Sequence, residues 1–284
     1  MDKTLIILGN GFDLDLGWKT SYSDFYKAKQ HKFDSLNKNL YVHKMINEGH
    51  WYNLEGYLRE CMCEVPSEKV EDLNYFWIMC RNLIGEYLLH NNIYSTRKDS
   101  CAYKLLAEIS SSNIVSFNYT NPFEKIKMGE YTLLYMHGCL KEIVSGAEIK
   151  LGVDSEIKNI NKLVYSEDRL RYIIKEVENP HIESFFSKFK QASNIIIYGH
   201  SLSITDSDYF KPIFKEIIDK RIVGKNIYIV TYDEVSLQQL KENMASYGIG
   251  YSDLLLSNVN IKTIFTSRGA SDLDFCSMMN NVEL

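Results

Sequence analysis

The chain is constrained most by a short apolar run that recurs along it and each time stops at a polar or glycine-bearing motif. Thr4–Leu8 (T-L-I-I-L) is nearly continuous in apolar residues and ends at Gly9-Asn10-Gly11. Such a run reads as a strand buried on both faces, as in a parallel sheet. Asn113–Phe117, Tyr131–Met136, Asn194–Tyr198, Asn226–Val230 and Asn260–Phe265 repeat the pattern, and Ile149–Val153 is a weaker candidate. Between the first two runs the periodicity changes. Ser21-x-x-Asp24 opens a helix, Tyr41–Glu64 and Glu68–Leu89 carry apolar residues three and four apart, and Cys101–Ser110 continues the pattern. Further helices are expected over Glu167–Lys190, Ser207–Lys220, Glu234–Tyr247 and Asp272–Asn280. Alternating strands and helices imply right-handed crossovers and a parallel sheet flanked by helices. The expected class is α/β: one Rossmann-like domain over 1–284, with a helical insertion at 20–112 after the first strand.

In such a sheet, ligands sit beyond the carboxyl ends of the strands. Four candidate strands end in motifs suited to that position: Gly9-Asn10-Gly11-Phe12-Asp13, Asn118-Tyr119-Thr120, His137-Gly138 and Gly199-His200-Ser201. Parallel pairing would bring all four to one edge. Glycines after a buried strand permit a tight turn and close backbone approach to a phosphate. The loop is not the dinucleotide fingerprint, because Leu14 stands three after Gly11, and it lacks the Gly-Lys-Ser/Thr of a Walker loop. Asp13 would repel a phosphate, so it contacts a ribose hydroxyl, a base or a basic group, or else caps a helix. Asn118 can donate and accept at once, which suits a water or a sugar hydroxyl, and its alternative is an Asx-turn. His137 is a candidate general base or ribose partner, its alternative a backbone hydrogen bond. His200 and Ser201 are candidates to touch phosphate or ribose, and Asp206 or Ser207 to cap the next helix. Trp51-x-x-x-Glu55 places an aromatic and a carboxylate on one helical face.

Composition narrows the classes. The formal charge is −5, a poor prior for a nucleic-acid binder. The six cysteines show no paired C-x-x-C, so no structural zinc site is expected, and free thiols in a cytoplasmic protein fit their scatter. The apolar stretch Leu5–Leu8 stops at glycine and reads as a strand, not a signal peptide, and no window has the length of a membrane span.

L-I-I-L-G-N-G-F-D-L-D-L-G-W-K-T-S-Y-S-D-F, W-Y-N-L-E, S-F-N-Y-T-N-P-F-E, M-H-G and Y-G-H-S-L-S-I-T-D follow one another in an order that resembles the bacterial abortive-infection AbiH family, over about residues 4–210. That resemblance implies defence against phage. The motif order is also similar, more distantly, to sirtuin-like NAD-binding domains. This second likeness implies NAD as ligand or substrate, with Gly9 and Gly11 near the pyrophosphate and Asn118 orienting a water or ribose. It places His137 on the ribose hydroxyls or as general base, and Gly199 and Ser201 on the adenosine side. The cofactor-binding set is then Gly9, Asn10, Gly11, Phe12, Thr120, Gly199, His200 and Ser201, and the catalytic set Asn118, His137 and Asp13. No metal is expected. Sirtuin deacetylases carry a four-cysteine zinc module that is missing here, so the implied chemistry is cleavage of the nicotinamide–ribose bond. Asp13 and Glu124 are the carboxylates to inspect beside an oxocarbenium-like centre, with the first turn of a helix after Pro122 as the alternative for Glu124. The expected partner is a nucleotide small molecule, with a homo-oligomer and a phage-derived trigger left open; membrane and nucleic acid are not expected. The competing readings are a non-catalytic nucleotide (NAD or ADP-ribose) sensor or assembly module, and a nuclease-type toxin, which the charge disfavours.

Overall fold

The computed structural model describes residues 4–36, 38–109, 113–126, 133–140, 149–162, 168–175, 181–282 and 284. The chain divides into two compact units, one formed by 1–18, 94–136 and 180–284, the other by 19–93 and 137–179.

The first unit holds a six-stranded, wholly parallel sheet: β1 (Thr4–Leu8), β2 (Asn113–Ser116), β3 (Leu133–Tyr135), β4 (Asn194–Tyr198), β5 (Asn226–Thr231) and β6 (Asn260–Phe265). Their order is β3-β2-β1-β4-β5-β6. The six full-strength sequence candidates are therefore all strands, and the order reverses at β1, as in doubly wound nucleotide-binding folds. Ile149–Val153 makes no strand. Val153 forms only an isolated bridge to Ile174.

Two apolar cores explain why the runs lack alternation. Leu5, Ile7, Val115, Ile195, Ile197, Ile227 and Ile229 face one core. Ile6, Leu8, Ile114, Ile196, Tyr198, Tyr228 and Val230 face the other. Successive side chains of a strand point to opposite faces, so a strand covered on both sides must be apolar throughout. The first face is covered by α10 (Ile182–Gln191), α11 (Ser207–Ile218), α12 (Glu234–Ser246) and α13 (Tyr251–Leu255). The second is covered by α1 (Asn10–Asp15), α6 (Cys101–Glu108), α7 (Pro122–Ile126) and α14 (Leu273–Asn281). Residues 94–109 thus pack with the sheet. The chain leaves this unit at Trp18 and returns at Tyr94, and the two crossings are tied together. The Trp18 indole donates to Thr96 Oγ1 at 3.0 Å, and the Arg97 amide to the Leu16 carbonyl at 2.7 Å.

The second unit is built on α2 (Tyr22–Ser35), α3 (Leu40–Asn47), α4 (Leu54–Glu64) and α5 (Val70–Leu88). Ser21 caps α2 by accepting from the Asp24 amide at 3.0 Å, as its sequence predicts. The helical pattern expected over Tyr41–Glu64 is interrupted at Gly49, whose φ of +74° ends α3, and His50–Asn53 forms a 3-10 turn before α4. Trp51 and Glu55 are accordingly not on one helix. The expected helix Glu167–Lys190 is also interrupted. After α9 (Asp168–Arg171), which follows the short α8 (Ile157–Ile160), residues 173–175 pair with Val153 instead: Val153 N donates to Ile173 O and Lys175 N to Val153 O. Residues 110, 131–132, 167 and 176–180 of the expected elements lie outside the described residues.

Residues 149–162 and 168–175 are fastened to the helices of their own unit by polar contacts. The Trp77 indole donates to the Leu151 carbonyl at 2.6 Å, and Asn161 Nδ2 to the Met62 carbonyl at 2.9 Å. Lys175 pairs with Glu55 at 2.9 Å, and Arg59 Nε with Asp154 Oδ2 at 2.6 Å. Glu55 and Arg59 are one turn apart on α4, so one helical face carries both ion pairs. Among the described residues no helix is long and apolar enough to cross a membrane.

Candidate functional site

The sheet register sets the stage. Leu8 stands level with Ser116 and with Tyr198, Ser116 with Tyr135, and Tyr198 with Val230. The motifs after β1, β2, β3 and β4 therefore leave the sheet from one line, at its carboxyl edge.

At the centre of that edge is Asp13. It lies inside α1, is 1% exposed, and caps nothing, the cap position being Gly9. Its carboxylate accepts from Thr120 Oγ1 at 2.5 Å and from Asn118 Nδ2 at 3.1 Å. Asn118 Nδ2 also donates to the Gly9 carbonyl at 3.0 Å. The Asx-turn alternative for Asn118 is thus not the one realised. The turn after β2 is made by Ser116, whose hydroxyl accepts the Asn118 amide at 3.1 Å and donates to the Asn118 carbonyl. This frees the Asn118 side chain to bridge two loops. Burial raises the Asp13 carboxyl from its ordinary value to about 7, against the hydrogen bonds from Thr120 and Asn118, which favour the charged form. A carboxyl poised near neutrality in a strand-end position is the kind of group that active sites use.

On the other side of β1 the glycines do something different from cradling a phosphate. The Gly9 amide donates to the Tyr198 carbonyl at 2.9 Å and the Gly11 amide to the Gly199 carbonyl at 2.8 Å. A Cβ on Gly11 would lie 2.7 Å from Gly199 Cα, and one on Gly199, whose φ is +63°, 2.3 Å from the Phe12 amide nitrogen. The three glycines let the β1 and β4 loops meet backbone to backbone. Phe12 turns inward, fully buried, its ring edge-on to Tyr198 at 4.9 Å.

His200 is 7% exposed, packed edge-on against Phe117 at 4.5 Å. Its Nδ1 accepts the Leu202 amide at 2.9 Å, which leaves the proton of the neutral ring on Nε2, facing Asp206 Oδ2 at 3.6 Å. Leu202 holds a φ of +49°, a conformation that costs a non-glycine residue about 1 kcal/mol. Asp206 stands at the N-cap of α11 without making a side-chain cap bond; its carboxylate faces His200 instead. Ser201 is exposed and its carbonyl accepts from Asn243. Glu124 lies in the first turn of α7, where Asn121 accepts its amide, in keeping with the helical alternative. His137 stands two residues past β3, is 4% exposed, and groups with the second unit, where its carbonyl accepts the Lys150 amide at 2.8 Å.

Strand-end logic thus brings Asp13, Asn118 and Thr120 together across more than a hundred residues. It missed Asp15, which accepts from the Tyr198 hydroxyl at 2.7 Å and from the Ala102 amide at 2.8 Å, holding the start of α6. The signal was the repeated D-L-D: two aspartates two apart on a helix face opposite ways. Among the described residues no group of three or more His, Cys, Asp or Glu converges as a metal-ligand set.

No curated protein and no solved structure matches the chain. A family model does, the one described as AbiH, bacteriophage abortive infection, over residues 5–75 and 64–228. These ranges run from β1 through the first half of β5 and take in the whole of the helical unit, so the chain belongs to the bacteriophage abortive infection family AbiH.

Proposed function

We propose that the protein acts in phage defence by binding a nucleotide, NAD, at the carboxyl edge of β1 and β2 and hydrolysing its nicotinamide–ribose bond. The observation that carries this reading is Asp13: a carboxyl buried at the strand-order reversal, held by Asn118 and Thr120 and raised to about 7. In the reaction the C–N bond breaks and nicotinamide leaves with the bonding electrons. Water adds to the ribose carbon and loses a proton. Asp13, in its ionised form, stabilises the positive charge that develops on the ribose. Asn118, fixed by Asp13 and the Gly9 carbonyl, orients the water or a ribose hydroxyl. The fit is poorest at the pyrophosphate, because the Gly9 and Gly11 amides are already donated to Tyr198 and Gly199.

That same closed set of internal bonds favours a second reading, a nucleotide sensor without turnover. One experiment separates the two: purified protein is incubated with NAD while nicotinamide release and melting temperature are followed. The hydrolase reading expects release by the wild type and loss of it in Asp13→Asn and Asn118→Ala. Stabilisation by NAD or ADP-ribose without release supports the sensor. Absence of both overturns the nucleotide site.

A further inference from the structure

We propose that Lys104 and Cys276 are a modification site, joined on oxidation through a single oxygen atom between the lysine nitrogen and the cysteine sulfur. Lys104 sits on α6 and Cys276 on α14, two helices packed on the same face of the sheet. Lys104 Nζ donates to Cys276 Sγ at 3.8 Å and to the Ala270 carbonyl at 3.1 Å, and Cys276 Sγ is 3.7 Å from that same carbonyl. One acceptor therefore holds the amine and the thiol side by side, across 172 residues of sequence. Both line an open cavity of about 400 Å³, together with Glu108, Met279 and Asn280. Cys276 is partly exposed, so a small oxidant reaches its sulfur, whereas Cys80, Cys101 and Cys139 are buried.

The chemistry balances with peroxide as the named oxidant. One peroxide takes the thiol to a sulfenic acid and releases one water. A second removes two electrons as the amine nitrogen bonds to that oxygen. The hydrogens lost from N–H and S–O–H leave with its two hydroxyls as two waters. A thiol reductant returns the free amine and thiol with release of water. The bridge ties the C-terminal helix to α6, whose first turn Asp15 already anchors to α1.

The test is peptide mass spectrometry of the full chain after dilute hydrogen peroxide, with and without later reduction. The expected product is one peptide pair joining positions 104 and 276, heavier than the sum of its parts by one oxygen less two hydrogens, removed by dithiothreitol. The oxidised protein should melt higher than the reduced form. The product should be lost completely in Lys104→Arg and Cys276→Ser. Sulfinic or sulfonic acid at Cys276 as the only wild-type products, or oxidation of Cys276 at an unchanged rate and to the same products in Lys104→Arg, overturns the proposal. The wild-type mass and its reversal by reductant decide the matter even where a variant fails to fold.

Discussion

Each unit of this protein buries an aspartate almost completely, and the two are accommodated in opposite ways. Asp154, fully buried in the helical unit, faces a guanidinium: Arg59 bonds both of its oxygens. Asp13, 1% exposed in the sheet unit, faces only a hydroxyl and an amide. A buried carboxylate bonded to a guanidinium is costly to uncouple from it. A buried carboxyl with neutral donors is free to change its protonation state, and burial brings Asp13 to about 7. The helical unit spends its buried carboxylate on holding a segment in place. The sheet unit keeps one that can respond to its surroundings, and keeps it where nucleotide-binding folds place their ligands.

The largest test of this contrast is Arg59→Ala. It strands Asp154 without a countercharge and should cost about 3–5 kcal/mol, read by urea denaturation; a loss below about 1 kcal/mol would mean that the Arg59–Asp154 pair does not hold the helical unit together. Next comes the seam beside Asp13. Gly199→Ala must fit a Cβ 2.3 Å from the Phe12 amide nitrogen at a φ of +63° and should cost roughly 2–4 kcal/mol. Gly224→Ala has a similar φ of +69° with nothing within 4 Å, so it should cost only about 1 kcal/mol. Equal losses in the two variants would show that backbone strain alone matters and that the loops do not need their close approach.

Asp13→Asn is a smaller and more specific perturbation. The folded-state value of Asp13 lies above its ordinary 3.8. Its stabilising contribution is therefore complete below about pH 4 and is lost as pH rises through about 7, with a slope of at most about 1.4 kcal/mol per pH unit. The variant should lack that slope, and a wild-type stability curve as flat as the variant's would refute the raised value. The smallest effect is expected from Thr120→Val. Removing a donor that favours the ionised form should move the Asp13 titration upward, measured by carbon NMR of the carboxyl. A downward move would show that Thr120 does not act on Asp13.

The sequence is a good guide to the sheet and a poor one to the joints. Strands β1, β4 and β5 are buried on both faces, and that burial writes itself directly as an apolar run. The break at Gly49 is hidden because apolar spacing continues on both sides of it. The break at 173–175 is hidden because its cause is a partner backbone at Val153, some twenty residues back. At the site, each motif could be found alone, since strand ends concentrate polar residues. That Asn118 would choose Asp13 over its own backbone depends on Ser116 closing the turn in its place. Lys175, the partner of Glu55, belongs to no motif at all.

The two aspartates of the D-L-D loop also act as a ruler. Asp13 reaches toward β2, and Asp15 reaches toward β4 and the start of α6. They are set roughly 200° apart around α1 by a single intervening residue. Inserting one residue between them would swing one carboxylate by roughly a further 100°. Either the β2 loop or α6 would then lose its anchor, so the length of this short stretch is less open to change than the identity of Leu14, which is 41% exposed between them.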